Sequence, residues 1–229
     1  MIMLAPDWSI RMSNALPPEL QIFDRPLRVL ILLYPGIEIL DFAGPYEVFS
    51  VATRIALRDG LSAHPPFIVS TVAASCQLLT ARYALRVQPD AQFDDELRSD
   101  VLIVPGGIID QPLNDPDTLA WVRKMAAGTG ILTSVCSGAL ILAKAGLLEG
   151  QSVTTHWADI QALRDGNPNL DVREDVPYVD AGSLVTSAGI SAGIDMSLHL
   201  VARLLGADAA RTTARQMQYE WQDMPGQVG

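Results

Sequence analysis

Cys136 stands in the run Ile131-Leu132-Thr133-Ser134-Val135-Cys136-Ser137-Gly138-Ala139-Leu140-Ile141. A strand-like apolar segment ends at Val135 and a helix-like segment starts at Ser137, with one nucleophilic side chain between them. Small residues two before (Ser134) and two after (Gly138) leave room for the sharp turn of a nucleophile elbow, here with Cys in place of Ser. Free N–H groups and the dipole at the start of the following helix favour a thiolate, so a depressed pKa and site-selective oxidation are expected at Cys136. The alternative is a buried cysteine that only packs. Ser134, Ser137 and Gly138 contribute little packing, which favours the reactive role. Cys76 has no such setting and is expected only to pack.

Four further segments bear on the same chemistry. Pro105-Gly106-Gly107 follows the apolar run Val101–Val104, and two glycines there let backbone N–H groups face a ligand, or simply make a tight turn. Asp41 lies between Ile39-Leu40 and Ala43-Gly44-Pro45. A carboxyl group held beside a thiolate has a raised pKa and can donate a proton. Asp41 can instead cap a helix beginning near Pro45, and Glu47 inside that helix competes for the acid role. His156, after Thr154-Thr155, can act as general base or substrate contact, or cap the short helix that follows. Gly189, Ser191, Gly193 and Asp195 open a long helix, where small residues serve close packing or line a pocket. His64 and His199 are read as structural.

The elements that must carry these residues alternate between strand and helix. Strands are predicted over Arg28–Tyr34, Phe67–Val72, Val101–Val104 and Ile131–Ser134, with short ribbons at Gln77–Leu79 and Leu85–Gln88. Helices are predicted over Tyr46–Leu57, Asp115–Ala127, Ser137–Lys144, Trp157–Leu163, Ile190–Leu204 and Ala207–Tyr219. Val172–Arg173, Tyr178–Val179 and Ser183–Thr186 read as late strands, the last two forming a hairpin. Uninterrupted apolar strands between helices imply an α/β domain with a mostly parallel sheet covered on both faces, and ligands bind at the C-terminal strand ends of such sheets. Pro6, Pro17, Pro18 and Pro26 break regular structure early. Residues 1–25 are therefore expected to be a loosely ordered extension, 26–222 a single domain and 223–229 a tail.

Composition narrows the function classes. Hydrophobic residues make up 49% of the 229 and charged residues 18%, enough for a core and too apolar for disorder. Twenty-six acidic against 16 basic residues give a formal charge of −10, which disfavours a nucleic-acid partner. The longest apolar run is far short of the ~18 residues a membrane helix needs. Two cysteines make no disulfide scaffold, and no Cys/His cluster suggests zinc. The N-terminal residues lack an export signal, and a cytoplasmic location is expected.

Taken together, Leu40-Asp41-Phe42-Ala43-Gly44-Pro45, Pro105-Gly106-Gly107, Ser134-Val135-Cys136-Ser137-Gly138, Thr154-Thr155-His156-Trp157 and Ala188-Gly189-Ile190-Ser191-Ala192-Gly193-Ile194-Asp195 resemble the ThiJ/PfpI (class I glutamine amidotransferase-like) superfamily over roughly residues 27–222. The pattern is similar to isocyanide (isonitrile) hydratases and equally to the sensor domains of AraC-type regulators. The resemblance implies a flavodoxin-like three-layer α/β/α sandwich, usually dimeric, that uses no cofactor or metal. It also implies roles: Cys136 attacks the terminal isocyanide carbon and Asp41 moves protons. Gly106, Gly107, Ser137, His156, Gly189 and Ile190 frame the substrate, and the product is an N-substituted formamide.

The departures sharpen that reading. Ser137, not His, follows the cysteine, which argues against a Cys-His protease dyad. Val201 lies two positions after His199, so the late His-x-Glu of glutamine amidotransferases is absent. Ser137 replaces the Thr of the hydratases, keeping the hydroxyl and losing a methyl. The chain stops soon after Trp221, so the regulators' helix-turn-helix region is not expected. A hydratase-like lyase acting on a small molecule is the first expectation. A small-molecule or oxidative-stress sensing module and a cofactor-independent glyoxalase or deglycase are the alternatives, and a homodimer is expected in each case.

Overall fold

The computed structural model describes residues 25–94 and 96–221. The expected extension up to residue 24, residue 222 of the expected domain and the expected tail, 223–229, lie outside them. In chain order the first elements are β1 (Leu27–Leu32), α1 (Ile39–Arg58), β2 (Phe67–Ala73), β3 (Leu79–Thr80), β4 (Arg86–Val87), β5 (Ala91–Gln92) and β6 (Val101–Val104). Next come α2 (Asp110–Asn114), α3 (Pro116–Gly128), β7 (Ile131–Val135), α4 (Gly138–Lys144), β8 (Ser152–Val153) and α5 (Ile160–Gly166). The last are β9 (Asp171–Val172), β10 (Tyr178–Asp180), β11 (Leu184–Ser187), α6 (Ala192–Leu205) and α7 (Ala207–Gln216).

Seven strands form the central sheet in the order β10-β11-β7-β6-β1-β2-β5. Every pairing is parallel except the hairpin of β10 with β11. β6 and β7 are buried at every residue. That is why they read as continuous apolar runs: a parallel strand covered on both faces has no solvent side to alternate with. Helices α1, α6 and α7 pack together as one layer, and α2 to α5 form another. The chain is thus a three-layer α/β/α sandwich of flavodoxin-like type, as the sequence implied.

Register carries the strand ends to one edge. Val104 pairs with Ser134, Ser134 with Thr186 and Val135 with Ser187. The turns after β6, β7 and β11 therefore meet, and the turn after β1 joins them. This is the edge at which open parallel sheets bind ligands.

Three expectations change. Helix α1 begins at Ile39, well before Tyr46, and runs through Gly44 and Pro45. Pro45 cannot donate to the Asp41 carbonyl four residues earlier, but both Gly44 and Pro45 are buried, and a Cβ on Gly44 would lie 3.0 Å from Ile194. Close packing against α6 holds the helix together where local propensity would end it. The helices expected over Tyr46–Leu57 and Ile190–Leu204 correspond to α1 and to α6, which starts at Ala192; they pack mainly on each other and α7, although Tyr46 and Leu57 stay exposed on α1. Finally, Arg25 at the end of the expected extension is tied to the domain, donating to both carboxylate oxygens of Asp100 at 2.8 and 2.7 Å.

Candidate active site

Cys136 occupies the turn between β7 and α4 with φ +57°, a left-handed conformation that costs a non-glycine residue and persists where the surroundings enforce it. The enforcement is visible. The Cys136 N–H donates to the carbonyls of Ser187 (3.3 Å) and Ala188 (3.2 Å), and its carbonyl accepts from Thr155 Oγ1 at 2.8 Å. A Cβ on Gly138 would lie 2.0 Å from the Val104 carbonyl oxygen, so α4 can approach β6 this closely only with glycine there. The elbow read from the sequence is the elbow of the structure.

Asp41 lies in the first turn of α1 and is fully buried. It does not cap the helix, because Glu38 does that, accepting from the Ile39 N–H. Asp41 Oδ2 accepts from the Gly106 N–H at 3.0 Å. Oδ1 is buried with no hydrogen bond of ordinary geometry among the described residues. Burial pushes the Asp41 carboxyl up to about 7, and the Glu38 charge adds to it. The Gly106 N–H, the Cys136 thiol and the Ile190 N–H pull part of the way back. Glu47, the rival acid, is exposed further along α1.

The Cys136 thiol departs from expectation. Burial pushes it up to about 12 and the Asp41 carboxylate adds to that, while the N–H groups of Ser137 and Ile190 offset only part. The helix start does favour the thiolate, but removing the sulfur from water and setting a carboxylate beside it count for more. Between about 7 and about 12 the pair holds one proton, resting on sulfur, and one negative charge on Asp41. A depressed thiol pKa is therefore corrected to an acid–thiol pair that shares a proton.

The glycine turn is also placed differently. Gly106 N–H serves Asp41, and Gly107 N–H donates to Ser137 Oγ at 3.0 Å. Neither is free for a substrate atom; the first holds the acid and the second holds Ser137. The donors facing sulfur are the N–H groups of Ser137 and Ile190, the second of which also reaches Asp41. Ile190 has φ +54° and is partly exposed, so its backbone faces the sulfur while its side chain meets solvent.

His156 caps the short 3-10 turn Trp157–Asp159, its Nδ1 accepting from the Ala158 N–H at 3.2 Å. Its ring lies over Gly189, where an added Cβ would fall 2.1 Å from Cδ2. The capping alternative describes this histidine, and Gly189 makes space for it. Asp159, from the same turn, reaches Cys136 electrostatically. His199 is structural, bonded to Asp180 through Nε2 at 2.6 Å and stacked on Tyr178. Cys76, expected to pack, is exposed.

Three neighbours of the pair were not found from the sequence. Tyr34 is buried and donates to the Pro105 carbonyl at 2.9 Å, steadying the turn that carries Gly106. Glu38 and Arg82 form an ion pair at 2.8 Å beside the acid. Their separation of 44 positions leaves no spacing signal; Tyr34 reads as an ordinary strand residue. Among the described residues no group of three or more His, Cys, Asp or Glu side chains gathers as a metal site, and no helix is long and apolar enough to cross a membrane.

Comparison with known proteins agrees with this geometry. Residues 27–203 match the DJ-1/PfpI family. An isonitrile hydratase from Pseudomonas putida is 36% identical over 198 residues, covering 84% of this chain and 78% of that protein. The HTH-type transcriptional regulator CdhR from Pseudomonas aeruginosa is 30% identical over 187 residues, covering 81% of this chain but only 53% of the regulator, so the chain spans about half its length. A crystal structure of a ThiJ/PfpI family protein from Pseudomonas syringae superposes with a TM-score of 0.75 at 28% identity, covering 97% of this chain and 87% of that one. With the elbow cysteine, the buried acid and the parallel sheet in place, the chain belongs to the DJ-1/PfpI family.

Proposed function

We propose that the protein is a cysteine-dependent isocyanide hydratase, converting a small isocyanide and water into an N-substituted formamide. The observation that carries this reading is the buried Asp41 beside the elbow thiol, held by the Gly106 N–H at 3.0 Å and with its carboxyl raised by burial. Hydration of R–N≡C needs that pairing. Sulfur attacks the terminal carbon as the shared proton passes through Asp41 to that carbon, giving R–N=CH–S–Cys136 and an ionised Asp41. Asp41 then takes a proton from water as its oxygen adds to the same carbon, and returns it to nitrogen. The carbon–sulfur bond breaks, the remaining hydroxyl proton returns to the pair, and R–NH–CHO leaves. The N–H groups of Ser137 and Ile190 favour the departing thiolate, and a carboxyl near 7 can both give and take a proton at neutral pH. No cofactor is required. We propose in addition a cytoplasmic setting, where the thiol stays reduced, and a two-fold homodimer.

The test is turnover of an aryl isocyanide followed by formamide release. The wild type is expected to be active and Cys136→Ala inactive. A wild type that binds the isocyanide without releasing formamide would reject the hydratase. Saturable binding without product is instead what a sensing module shows, a second reading favoured by the 30% identity to a transcriptional regulator.

A further inference from the structure

Three loops are stitched together around Asp41. Glu38 donates its N–H to the Gly106 carbonyl at 3.0 Å, while Gly106 donates its own N–H to Asp41. Ile37 bridges Gly107, and the Ile108 N–H donates to the Gly36 carbonyl at 2.9 Å. The ribbon of β3 and β4 joins the same turn through Gly36 N–H to Thr80 carbonyl (2.8 Å) and Arg82 N–H to Ile37 carbonyl (3.0 Å). Beyond Arg82 the ribbon tip holds Tyr83 at φ +52° and Ala84 at φ +70°, two left-handed non-glycine residues. Glu38 is common to both stitches: Oε1 accepts from the Ile39 N–H at 3.2 Å and Oε2 from Arg82 Nη1 at 2.8 Å.

We propose that Glu38 and Arg82 are positioning residues for Asp41, a carboxylate on the helix cap and a guanidinium on the ribbon that act on the acid as an opposed pair of charges. Glu38 sits three residues before the acid on the same helix start, with its side chain only 17% exposed, so its charge is incompletely screened. Arg82 is bound to Glu38, and its charge reaches Tyr34 and Cys136. The charged and titratable groups that act on the acid or the thiol are Tyr34 from the end of β1, Glu38 from the cap of α1 on the acid, and Arg82 from the ribbon and Asp159 from the 3-10 turn on the thiol. Of these, Arg82 is the cation and Glu38 is the anion bound to it. The pair therefore trims the repulsion that the helix cap would otherwise impose on Asp41, while its hydrogen bonds lock the ribbon over the turn.

This inference rests on Cys136 and Asp41 titrating as a unit, and its readout needs no isocyanide. The pH dependence of Cys136 alkylation by iodoacetamide, resolved from Cys76 by peptide mass, rises as the pair loses its first proton. Removing the anion eases that loss, and removing the cation opposes it. Glu38→Gln is expected to move the limb to lower pH and Arg82→Met to higher pH, each by roughly half a unit or more. Arg82→Lys, which keeps the charge, is expected to stay near wild type. An ion pair that merely pins the ribbon would move both variants the same way, and that result, or no movement in either, overturns the proposal. Should either neutral variant misfold by circular dichroism, Glu38→Asp and Arg82→Lys decide: a limb displaced by more than half a unit in these charge-conserving variants also overturns it, and wild-type limbs in both uphold it. A wild-type profile without a limb near neutrality overturns it with the shared-proton pair. Failed isocyanide turnover with the opposed shifts intact instead rejects the hydratase alone.

Discussion

The backbone N–H of Gly106 lies 3.0 Å from Oδ2 of Asp41, so the glycine turn after β6 spends its donor on the acid and not on a ligand. A side chain there is obstructed for the same reason: a Cβ on Gly106 would fall 2.5 Å from Ser137 Oγ, 2.6 Å from Ser137 N and 3.0 Å from Asp41 Oδ2. The hydroxyl can rotate away, but the Ser137 backbone nitrogen cannot. Gly106→Ala must therefore shift the turn away from the elbow and lengthen the bond to Asp41.

Gly106→Ala is expected to fold, to melt at lower temperature, and to lose at least tenfold in isocyanide turnover, because sub-ångström misplacement of a proton donor is felt in the chemical step. Thermal unfolding beside steady-state kinetics checks this. Wild-type turnover with a lowered melting temperature would mean that the turn supports the fold and not the acid.

Asp41→Asn keeps an oxygen for the Gly106 N–H and removes the acid, so turnover is expected to fall by roughly a hundredfold or more. Glu47→Gln is expected to leave turnover unchanged, since Glu47 is exposed on α1. Circular dichroism of both variants separates lost chemistry from lost fold. The opposite ranking would move the acid role to Glu47.

How far the sequence could be read follows from what each feature depends on. The elbow was legible because it is local: an apolar strand, one cysteine, and glycine where α4 meets β6. The start of α1 was not, because Gly44-Pro45 reads as a break and only packing on α6 overrides it. That misreading put Asp41 before the helix instead of in its first turn. The raised thiol pKa was invisible for another reason. Helix dipoles are implied by local order, but desolvation and the approach of Asp41 come from the tertiary fold. Glu38 and Arg82 belong together only after the ribbon folds back on the turn.

Reactivity of the two cysteines tests that correction. Cys76 is exposed, whereas Cys136 is 8% exposed with its thiol pushed up to about 12. At pH 7 a neutral alkylating agent is expected to label Cys76 first, and peroxide to favour it likewise. Peptide mapping over a short time course gives the order. Earlier modification of Cys136 at neutral pH would mean that the helix start outweighs burial and the thiolate is the resting form.

The same burial that poises Asp41 weakens the fold. In the unfolded chain Asp41 loses its proton in the ordinary carboxylate range; in the folded protein it does so near 7. Between those values the folded state holds a proton that the unfolded state has released, so this group's contribution to stability falls as pH rises across the window and levels off above about 7. A displacement of this size corresponds to roughly 4 kcal/mol. Asn cannot ionise and escapes that loss, although it gives up one of the two acceptors that the carboxylate offers to the Gly106 and Ile190 N–H groups, an offset present at every pH. The informative quantity is therefore the change between two pH values, in which the fixed offset and all other titrating groups cancel. Going from pH 4.5 to pH 8, wild type is expected to lose about 3 kcal/mol more unfolding free energy than Asp41→Asn, measured by urea denaturation. Equal losses would mean that Asp41 ionises at its ordinary pH in the folded protein and is not poised to give and take a proton near neutrality.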